Sequence, residues 1–336
     1  MSFVTLSLYV HSAPYAEGQA PGSECEDERV ILVPDEERVL IGVLDGCGGT
    51  GARRYSEADN WTGARIASHV AGRSLFRWFA GLSQERFHNS TAPELAEELE
   101  TQLRTSIHDA NALLEQDVAP RFISSRLSKA LPTTLAAVAA EKLPGGYVRL
   151  CSFWAGNSRN YVFLPAGLRQ LSADDIVGNY DPFEDLAKDG ILSNSVNASA
   201  PFEVHFSEML VKSPCLILSA SDGVFSYFDS PIRLEWLLLD TLRQTETPAE
   251  WERLLRKEIG AVSADDHTLQ LAALGFESFS ELKNAFLPRL EDLERDYILQ
   301  LQQAVEKEDQ EQLLLLWNKY QETFLTVRRE EEAEHG

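Results

Sequence analysis

The sequence has little cysteine, and none of it is paired by spacing. Its 336 residues include four cysteines that lie far apart and form no C-x-x-C pair; these are Cys25, Cys47, Cys151 and Cys215. A structural zinc site and a disulfide framework are therefore not expected, and a reducing compartment is the simplest setting for the chain.

Long apolar runs are also missing. No stretch approaches the roughly 20 apolar residues that a membrane helix needs. Residues 1–13 carry no basic segment, and residues 3–10 alternate between apolar and polar positions as a strand does, whereas a secretion signal has an unbroken apolar core. We therefore expect a cytoplasmic protein that does not bind membranes.

Positive charge is scarce. The chain has 30 Lys and Arg against 53 Asp and Glu, which gives a net charge of −23 and a sequence pI near 4.7. Such a surface repels phosphate backbones and anionic lipids, so nucleic-acid and membrane-surface partners are not expected. An apolar content of 44% is ordinary for a globular protein, and the length allows one large domain or two small ones.

One stretch organises the chain. Residues 39–44 form an unbroken apolar run that predicts a strand covered on both faces, and Asp45 stands where the run stops. Glycines at positions 46, 48 and 49 then allow the backbone to turn sharply and approach a ligand closely. We interpret Asp45 as a metal ligand at a phosphate-handling site. A turn in which Asp45 caps its own backbone is the alternative.

Three further acidic groups stand at predicted strand ends. Glu26 and Asp27 precede residues 29–33, which pair in a predicted hairpin with 39–44, so Glu26 and Asp45 lie at the same end of one sheet. A second apolar strand ends at Asp222, and Asp265 precedes the last strand, 269–274. Oxygen ligands select hard cations such as Mg²⁺ or Mn²⁺, and two such ions can activate water against a phosphoryl group. Each acid taken alone is more typical of a surface turn.

Other elements follow from periodicity. Helices are predicted over 61–80, with Phe76 on the apolar face, over 93–118, with Leu113 on that face, and over 231–241 and 248–259. Residues 135–171 predict a meander of antiparallel strands. The polar connection 172–201 is long enough to be functional or mobile.

The last segment has a different character. Apolar residues recur at helical spacing from Leu282 to Phe324 among acids and glutamines, which predicts a helix pair or a short coiled coil. We expect an acidic amphipathic extension over 277–336 that serves docking or self-association, unless its apolar stripe packs back on its own domain.

Five motifs in sequence order resemble the metal-dependent protein phosphatases of the protein phosphatase 2C family. They are Asp45-Gly46-Cys47-Gly48-Gly49, Pro132-Thr133-Thr134, Ala155-Gly156-Asn157-Ser158-Arg159, Ser221-Asp222-Gly223 and Asp265-Asp266-His267-Thr268. The resemblance, to a divergent bacterial-type member, covers a catalytic domain of residues 1–276. It implies an α+β fold, an α/β/β/α sandwich of two antiparallel sheets flanked by helices, followed by the C-terminal helical extension.

The resemblance also implies roles for single residues. Asp45 is similar to the acid that bridges two Mg²⁺ or Mn²⁺ ions, and the Gly46 carbonyl and Glu26 to groups that serve one of them. Asp222 and Asp265 resemble the ligands of the other ion. Three residues would support these ligands from outside the metal shell, namely Asp27, Asn157 and Asp266. The attacking group would be a hydroxide that bridges the metals.

Three positions depart from the family pattern. Gly22 stands where the family usually has a phosphate-binding arginine, so phosphate binding should weaken unless Arg53, Arg54 or another cation substitutes. Cys47 stands where many members have a histidine proposed to protonate the leaving group, and a thiol is a poorer acid for that task. Asn157 replaces an aspartate, which puts a third ion in doubt.

These observations predict a Mg²⁺- or Mn²⁺-dependent serine/threonine phosphoprotein phosphatase, with phosphoprotein substrates made by a cognate kinase. The retained acids favour the enzyme. The alternative is a phosphatase-like regulatory or binding module with weak or lost turnover, which the changes at positions 22, 47 and 157 favour. The residues that bind substrate are not predicted.

Overall fold

The computed structural model describes residues 3–13, 25–115, 129–177 and 191–325. In these ranges the strands are β1 (Val4–Ser12), β2 (Glu28–Leu32), β3 (Arg38–Leu44), β4 (Arg54–Tyr55), β5 (Trp61–Thr62), β6 (Leu135–Leu143), β7 (Tyr147–Ala155), β8 (Arg159–Leu164), β9 (Gly167–Gln170), β10 (His205–Lys212), β11 (Cys215–Ala220) and β12 (His267–Leu274). The helices are α1 (Gly63–Gly81), α2 (Gln84–Asn89), α3 (Ala92–Glu115), α4 (Asp222–Phe225), α5 (Pro231–Arg243), α6 (Pro248–Val262), α7 (Phe279–Leu293), α8 (Leu299–Glu306) and α9 (Gln310–Phe324).

Two five-stranded antiparallel sheets form the centre of the molecule. Their strand orders are β1-β12-β11-β8-β9 and β10-β7-β6-β3-β2. Apolar side chains from both sheets interleave between them, among them Ile41, Val138 and Ile217, which are fully buried. Because β3, β6 and β11 are covered on both faces, their sequences are nearly continuous apolar runs.

Helices cover the outer face of each sheet. Helices α1 and α3 pack on the sheet that contains β3, through residues such as Leu75 and Leu99. Helices α5 to α9 cover the other sheet, where Leu238 and Phe286 join the core beside Phe163. The predicted α/β/β/α sandwich of two antiparallel sheets with flanking helices is therefore confirmed.

The predicted hairpin of β2 and β3 is present in the expected register. Glu28 lies opposite Leu44, so Glu26 and Asp45 stand at the same end of the sheet. Strand β10 was not predicted. Its residues alternate between exposed and partly covered positions over most of its length because it is an edge strand, and its sequence therefore lacks a strong apolar pattern.

Two helix positions were assigned to the wrong face. Phe76 and Leu113 were predicted on buried faces, but their side chains are 42% and 68% exposed. Phe76 lines a surface groove beside the edge strand β2. Leu113 follows Ile107, which is the last buried residue of α3. Residues 116–118 of the predicted helix, and 178–190 of the 172–201 connection, lie outside the described residues.

The described part of the C-terminal extension folds back on its own domain. Helices α7 and α8 continue through a π-helical turn at Glu294–Ile298, and α9 returns beside them as a helix pair. The apolar stripe from Leu282 to Phe324 lies in the same core as Tyr161 and Phe163 of β8. The stripe therefore packs on its own domain, which is the alternative to docking or self-association given above. The division of the chain at residue 276 stays a prediction.

Across the described ranges, every helix is too short or too polar to cross a membrane.

Candidate active site

Carboxyl groups from both sheets meet at one end of the sandwich. Asp45 follows β3 in one sheet, and Asp222 follows β11 in the other. Their carboxyl groups lie within hydrogen-bonding reach of each other, and both residues are half-buried. Asp27, which precedes β2, is close enough for its charge to raise the pKa of Asp45. Three acids distant in sequence thus lie near one another. The predicted ligand set was Glu26, Asp45, Asp222 and Asp265, with Asp27 as a support, and these roles stay a prediction.

The Pro132-Thr133-Thr134 motif fixes the backbone of Asp45. Thr133 Oγ1 and the Thr134 amide both donate hydrogen bonds to the Asp45 carbonyl oxygen, at 2.8 and 2.7 Å. The Asp45 amide donates to Thr134 Oγ1 at 3.1 Å. Because its main chain is saturated in this way, Asp45 can present its side chain without relying on that side chain for local bonds.

Asp222 is oriented by the third motif. The Asn157 side-chain amide donates a hydrogen bond to Asp222 Oδ2 at 2.8 Å. Burial raises the pKa of the Asp222 carboxyl, and the nearby charge of Asp265 raises it further, whereas the bond from Asn157 lowers it. An aspartate at position 157 could not donate this bond while ionised, so the Asn157 departure supplies a donor where the family has a charge.

Asp27 is buried and only partly hydrogen-bonded. Ser221 Oγ donates to its Oδ2 at 2.9 Å, and Ser221 in turn accepts from the Thr268 amide at 2.8 Å. Its other oxygen, Oδ1, is buried and has no hydrogen-bond partner among the described residues. Burial first, and then the charges of Asp266 and Asp222, raise the pKa of Asp27 from 3.8 to about 8.

Glu26 lines the mouth of the site. Thr62 Oγ1 donates a hydrogen bond to its side chain, and Ser68 Oγ donates to its carbonyl oxygen at 2.5 Å. A Cβ atom at position 48 would clash with Glu26 Oε2, so a side chain there would displace this carboxylate. Burial raises the pKa of Glu26, and the charge of Arg54 lowers it.

Asp265 and Asp266 stand on the rim. Asp265 is exposed, and its Oδ1 accepts a hydrogen bond from the Asp266 amide at 2.8 Å. Asp266 Oδ2 accepts from the Glu26 amide at 2.6 Å, which ties the start of β12 to the residue before Asp27. The structure therefore places Asp266 as a support for Glu26 and leaves Asp265 beside the cluster but outside its buried centre.

The donor set fits hard divalent cations. Asp27, Asp45 and Asp222 would carry three adjacent negative charges away from water, which is strongly unfavourable unless protons or cations neutralise them. All of these ligand atoms are oxygen, which suits Mg²⁺ or Mn²⁺ rather than Zn²⁺. Among the described residues, no group of three or more His, Cys, Asp or Glu side chains is already placed to hold a metal ion. The ligands thus stand near one another without being closed around an ion.

Cys47 and Gly46 complete the loop after β3. The Gly46 backbone forms an isolated bridge with Thr133, and the Cys47 amide donates to the Pro132 carbonyl at 3.1 Å. The Cys47 thiol faces the same acids, and burial raises its pKa to about 12. The thiol therefore stays protonated at neutral pH, so it can donate a hydrogen bond but releases its proton reluctantly.

A polar cleft beside Glu26 contains Thr62 and Arg65, which the sequence did not single out. Its volume is about 270 Å³, and its lining includes Arg54, Trp61, Thr62 and Arg65. The Arg65 guanidinium stacks 4.1 Å from the centre of the Trp61 ring. Arg54 was named as a possible substitute for the missing phosphate-binding arginine and does line the cleft. Arg53 stacks on Tyr55 instead, and Gly22 lies outside the described residues.

Comparison with known proteins by sequence finds nothing: no family model and no curated protein matches the chain. Comparison by structure finds many solved phosphatases. The serine/threonine phosphatase of S. agalactiae matches 80% of this chain and 99% of its own, at 17% identity and a TM-score of 0.55. The chain has the fold of bacterial serine/threonine phosphatases.

Two further solved structures match over a similar share of the chain. The catalytic domain of the serine/threonine protein phosphatase PstP, solved with two manganese ions, matches 81% of this chain and 99% of its own, at 17% identity and a TM-score of 0.54. PppA of Pseudomonas aeruginosa, described as a regulatory component of its T6SS, matches 81% and 100%, at 21% identity and a TM-score of 0.51. The predicted resemblance to the phosphatase family is thus confirmed as a likeness of fold.

Proposed function

We propose that this protein is a Mg²⁺- or Mn²⁺-dependent serine/threonine phosphoprotein phosphatase. One observation carries the proposal: the buried Asp27 and the half-buried Asp45 and Asp222 converge where the two sheets meet, and no described cation neutralises them. The fold, shared with phosphatases of which one was solved with two manganese ions, supports the same chemistry.

Asp45 and Asp222 would hold the ions, with the Gly46 carbonyl, Glu26 and Asp265 as further oxygen donors around them. Bound divalent ions would lower the pKa of water and offset the negative charge of the phosphoryl group. Thr133 and Thr134 fix the backbone of Asp45, and Asn157 orients the Asp222 carboxyl. The protein thus supplies a set of ligands whose backbone is rigid before any ion enters.

The substrate phosphate would enter through the cleft beside Glu26. Arg54 and Arg65 line that cleft, and a guanidinium group binds phosphate oxygens through two parallel hydrogen bonds. They would take the part of the arginine that position 22 lacks. Cys47 would donate a hydrogen bond to the leaving oxygen, and its pKa of about 12 predicts slow proton transfer at that step.

The test is Mn²⁺-dependent hydrolysis of a phosphothreonine peptide by the full chain, by Asp45→Asn and by Asp222→Asn. Asp109→Asn, on the exposed side of α3, is the matched control. We expect turnover in the wild type and the control and its loss in both site variants. If calorimetry shows Mn²⁺ bound by the wild type but turnover does not exceed that of the site variants, the protein is the non-catalytic regulatory module instead.

A cognate kinase, a cytoplasmic location and self-association through the C-terminal helices also remain part of the proposal. With the stripe of α7 to α9 buried within the chain, self-association would need the outward leucines, of which Leu299 and Leu315 are 60% and 58% exposed. Replacing both with glutamate and measuring the molar mass in solution tests this point.

A further inference from the structure

One face of α1 carries a row of basic residues, of which the proposed chemistry uses only the first, Arg65. Arg65, His69, Arg73 and Arg77 stand at intervals of four along the helix, so their side chains follow one slowly turning stripe. Arg65 stacks on Trp61 at the cleft beside Glu26, and His69 is 2.9 Å from Glu28. The stripe therefore begins at the candidate active site and runs away from it.

Three neighbouring cavities share residues along this stripe. The cleft beside Glu26 shares Trp61 and Arg65 with a small cavity next to Asp27, and that cavity shares Glu28 and His69 with a larger groove. The groove has a volume of about 540 Å³ and lies between β2 and α1. Together the three form one path from the buried acids to the outer edge of the sheet, which we call the α1 groove path.

The outer part of this path is basic and partly apolar. Arg29, Arg73 and Arg77 line it, and none of the three forms an ion pair with any described residue. The exposed Phe76 lines the same part of the groove. A chain with a net charge of −23 would not be expected to gather unneutralised arginines in one groove unless an acidic partner binds there.

The helix approaches the sheet unusually closely at this groove. A Cβ atom at position 72 would lie 2.8 Å from Glu28 Cγ, so glycine is needed for α1 to pack on β2 at this distance. The groove floor is therefore formed by two rigid elements. From Arg65 to Arg77 the helix rises about 18 Å, which is the length of about five or six residues of an extended peptide.

We propose that the α1 groove path binds an acidic extended segment of the phosphoprotein substrate, next to the phosphorylated residue. The proposal rests on the proposed function and adds a substrate class: phosphoserine or phosphothreonine followed or preceded by several acidic residues. The phosphate would lie at Arg54 and Arg65, and the acidic residues would pair with Arg29, Arg73 and Arg77. Phe76 would contact an apolar side chain among them.

The test compares phosphothreonine peptides that carry four aspartates on one side or the other with the same peptides carrying lysines. The variant is Arg73→Glu with Arg77→Glu. The control is Arg253→Glu with Lys257→Glu on α6, which has the same spacing and changes the net charge equally at exposed positions. Fluorescence anisotropy in EDTA reports binding, and hydrolysis of p-nitrophenyl phosphate with Mn²⁺ reports basal turnover.

We expect the wild type and the control to prefer one aspartate peptide over its lysine counterpart. The α1 variant should lose about tenfold in affinity for that peptide, since each reversed charge turns an attraction into a repulsion. Its hydrolysis of p-nitrophenyl phosphate should be unchanged. If the wild type binds the peptide but shows no turnover, the proposed phosphatase function is wrong and the groove proposal still stands.

Three outcomes would overturn the groove proposal: equal weakening in the α1 and α6 variants, no preference between aspartate and lysine peptides, or binding of a short single-stranded oligonucleotide as tight as that of the aspartate peptide. A change of molar mass in the α1 variant alone would assign the groove to a second copy of the chain and would equally overturn it.

Discussion

Two clusters of charge, one beneath the C-terminal helices and one at the end of the sandwich where Asp45 and Asp222 lie, are neutralised differently. On the helical side, Glu235 of α5 is fully buried and pairs with Arg289 of α7 through bonds of 2.7 and 2.9 Å. Tyr320 of α9 donates to the same carboxylate at 2.6 Å, and the Leu168 amide donates at 3.2 Å. Every charge in this cluster has a partner within the chain.

At the other cluster the acids outnumber their partners. Asp27, Asp45 and Asp222 meet without a buried cation among the described residues, and Asp27 Oδ1 has no partner there at all. Buried ion pairs and buried lone charges differ sharply in cost, because only the former recover the lost hydration. The first cluster therefore holds the C-terminal helices on the domain through paired charges. The second cluster lacks such pairs, so protons or cations from solvent are expected to neutralise it.

Removing the Glu235 carboxylate should give the largest effect on stability. In Glu235→Gln the Arg289 guanidinium stays buried without its counter-ion, so we expect a loss of about 3–5 kcal/mol in the free energy of unfolding. Urea denaturation followed by circular dichroism measures it. The double variant Glu235→Leu with Arg289→Met, which leaves no buried charge, should recover much of the loss. An equal loss in both would mean that packing, not charge, holds the extension.

Removing the Asp27 carboxylate should raise the free energy of unfolding at high pH, whereas removing the Glu235 carboxylate should lower it. Its folded pKa of about 8 lies above the ordinary value of 3.8, so the folded state binds more protons than the unfolded state between these values. The contribution of Asp27 is therefore most favourable below about pH 4 and is lost as the pH rises through about 8. In EDTA, Asp27→Asn should be more stable than the wild type at pH 8, by on the order of a few kcal/mol, and not at pH 5.

Thermal melts of both proteins at pH 5 and pH 8, with EDTA or with Mn²⁺, provide the measurement. Mn²⁺ should raise the melting temperature of the wild type most at pH 8, because the ion then replaces protons that have left. Ser221→Ala is a useful companion, since it removes a hydrogen bond to Asp27 without removing charge. If the melting temperatures of the wild type and Asp27→Asn change equally between pH 5 and pH 8, the raised pKa does not belong to Asp27.

The sequence predicted the positions of Asp45 and Asp222 at strand ends, whereas the surface around them was harder to predict; the roles of these acids as ligands stay a prediction. Asp45 and Asp222 could be placed because each ends an apolar strand, and strand ends in a sandwich meet at defined edges. The faces of α1 could not be assigned at Phe76, because periodicity marks a stripe but does not tell where the partner sheet ends. Strand β10 and the role of Glu235 depend on contacts between distant segments, which no local pattern records.

A milder change sharpens the contrast between the two clusters. Asn157→Ala removes the donor that orients Asp222 but leaves every acid in place. Supporting residues of this kind typically contribute 10–100-fold in metal affinity, so we expect Mn²⁺ to bind about tenfold more weakly, by calorimetry, with little change in metal-free stability. Asn194→Ala, which removes a side-chain amide bonded to Asp175, is the control and should leave Mn²⁺ affinity unchanged. If Mn²⁺ affinity falls equally in both variants, the side-chain amide of Asn157 supports the fold in general. Orientation of Asp222 by Asn157 would then not be needed for metal binding.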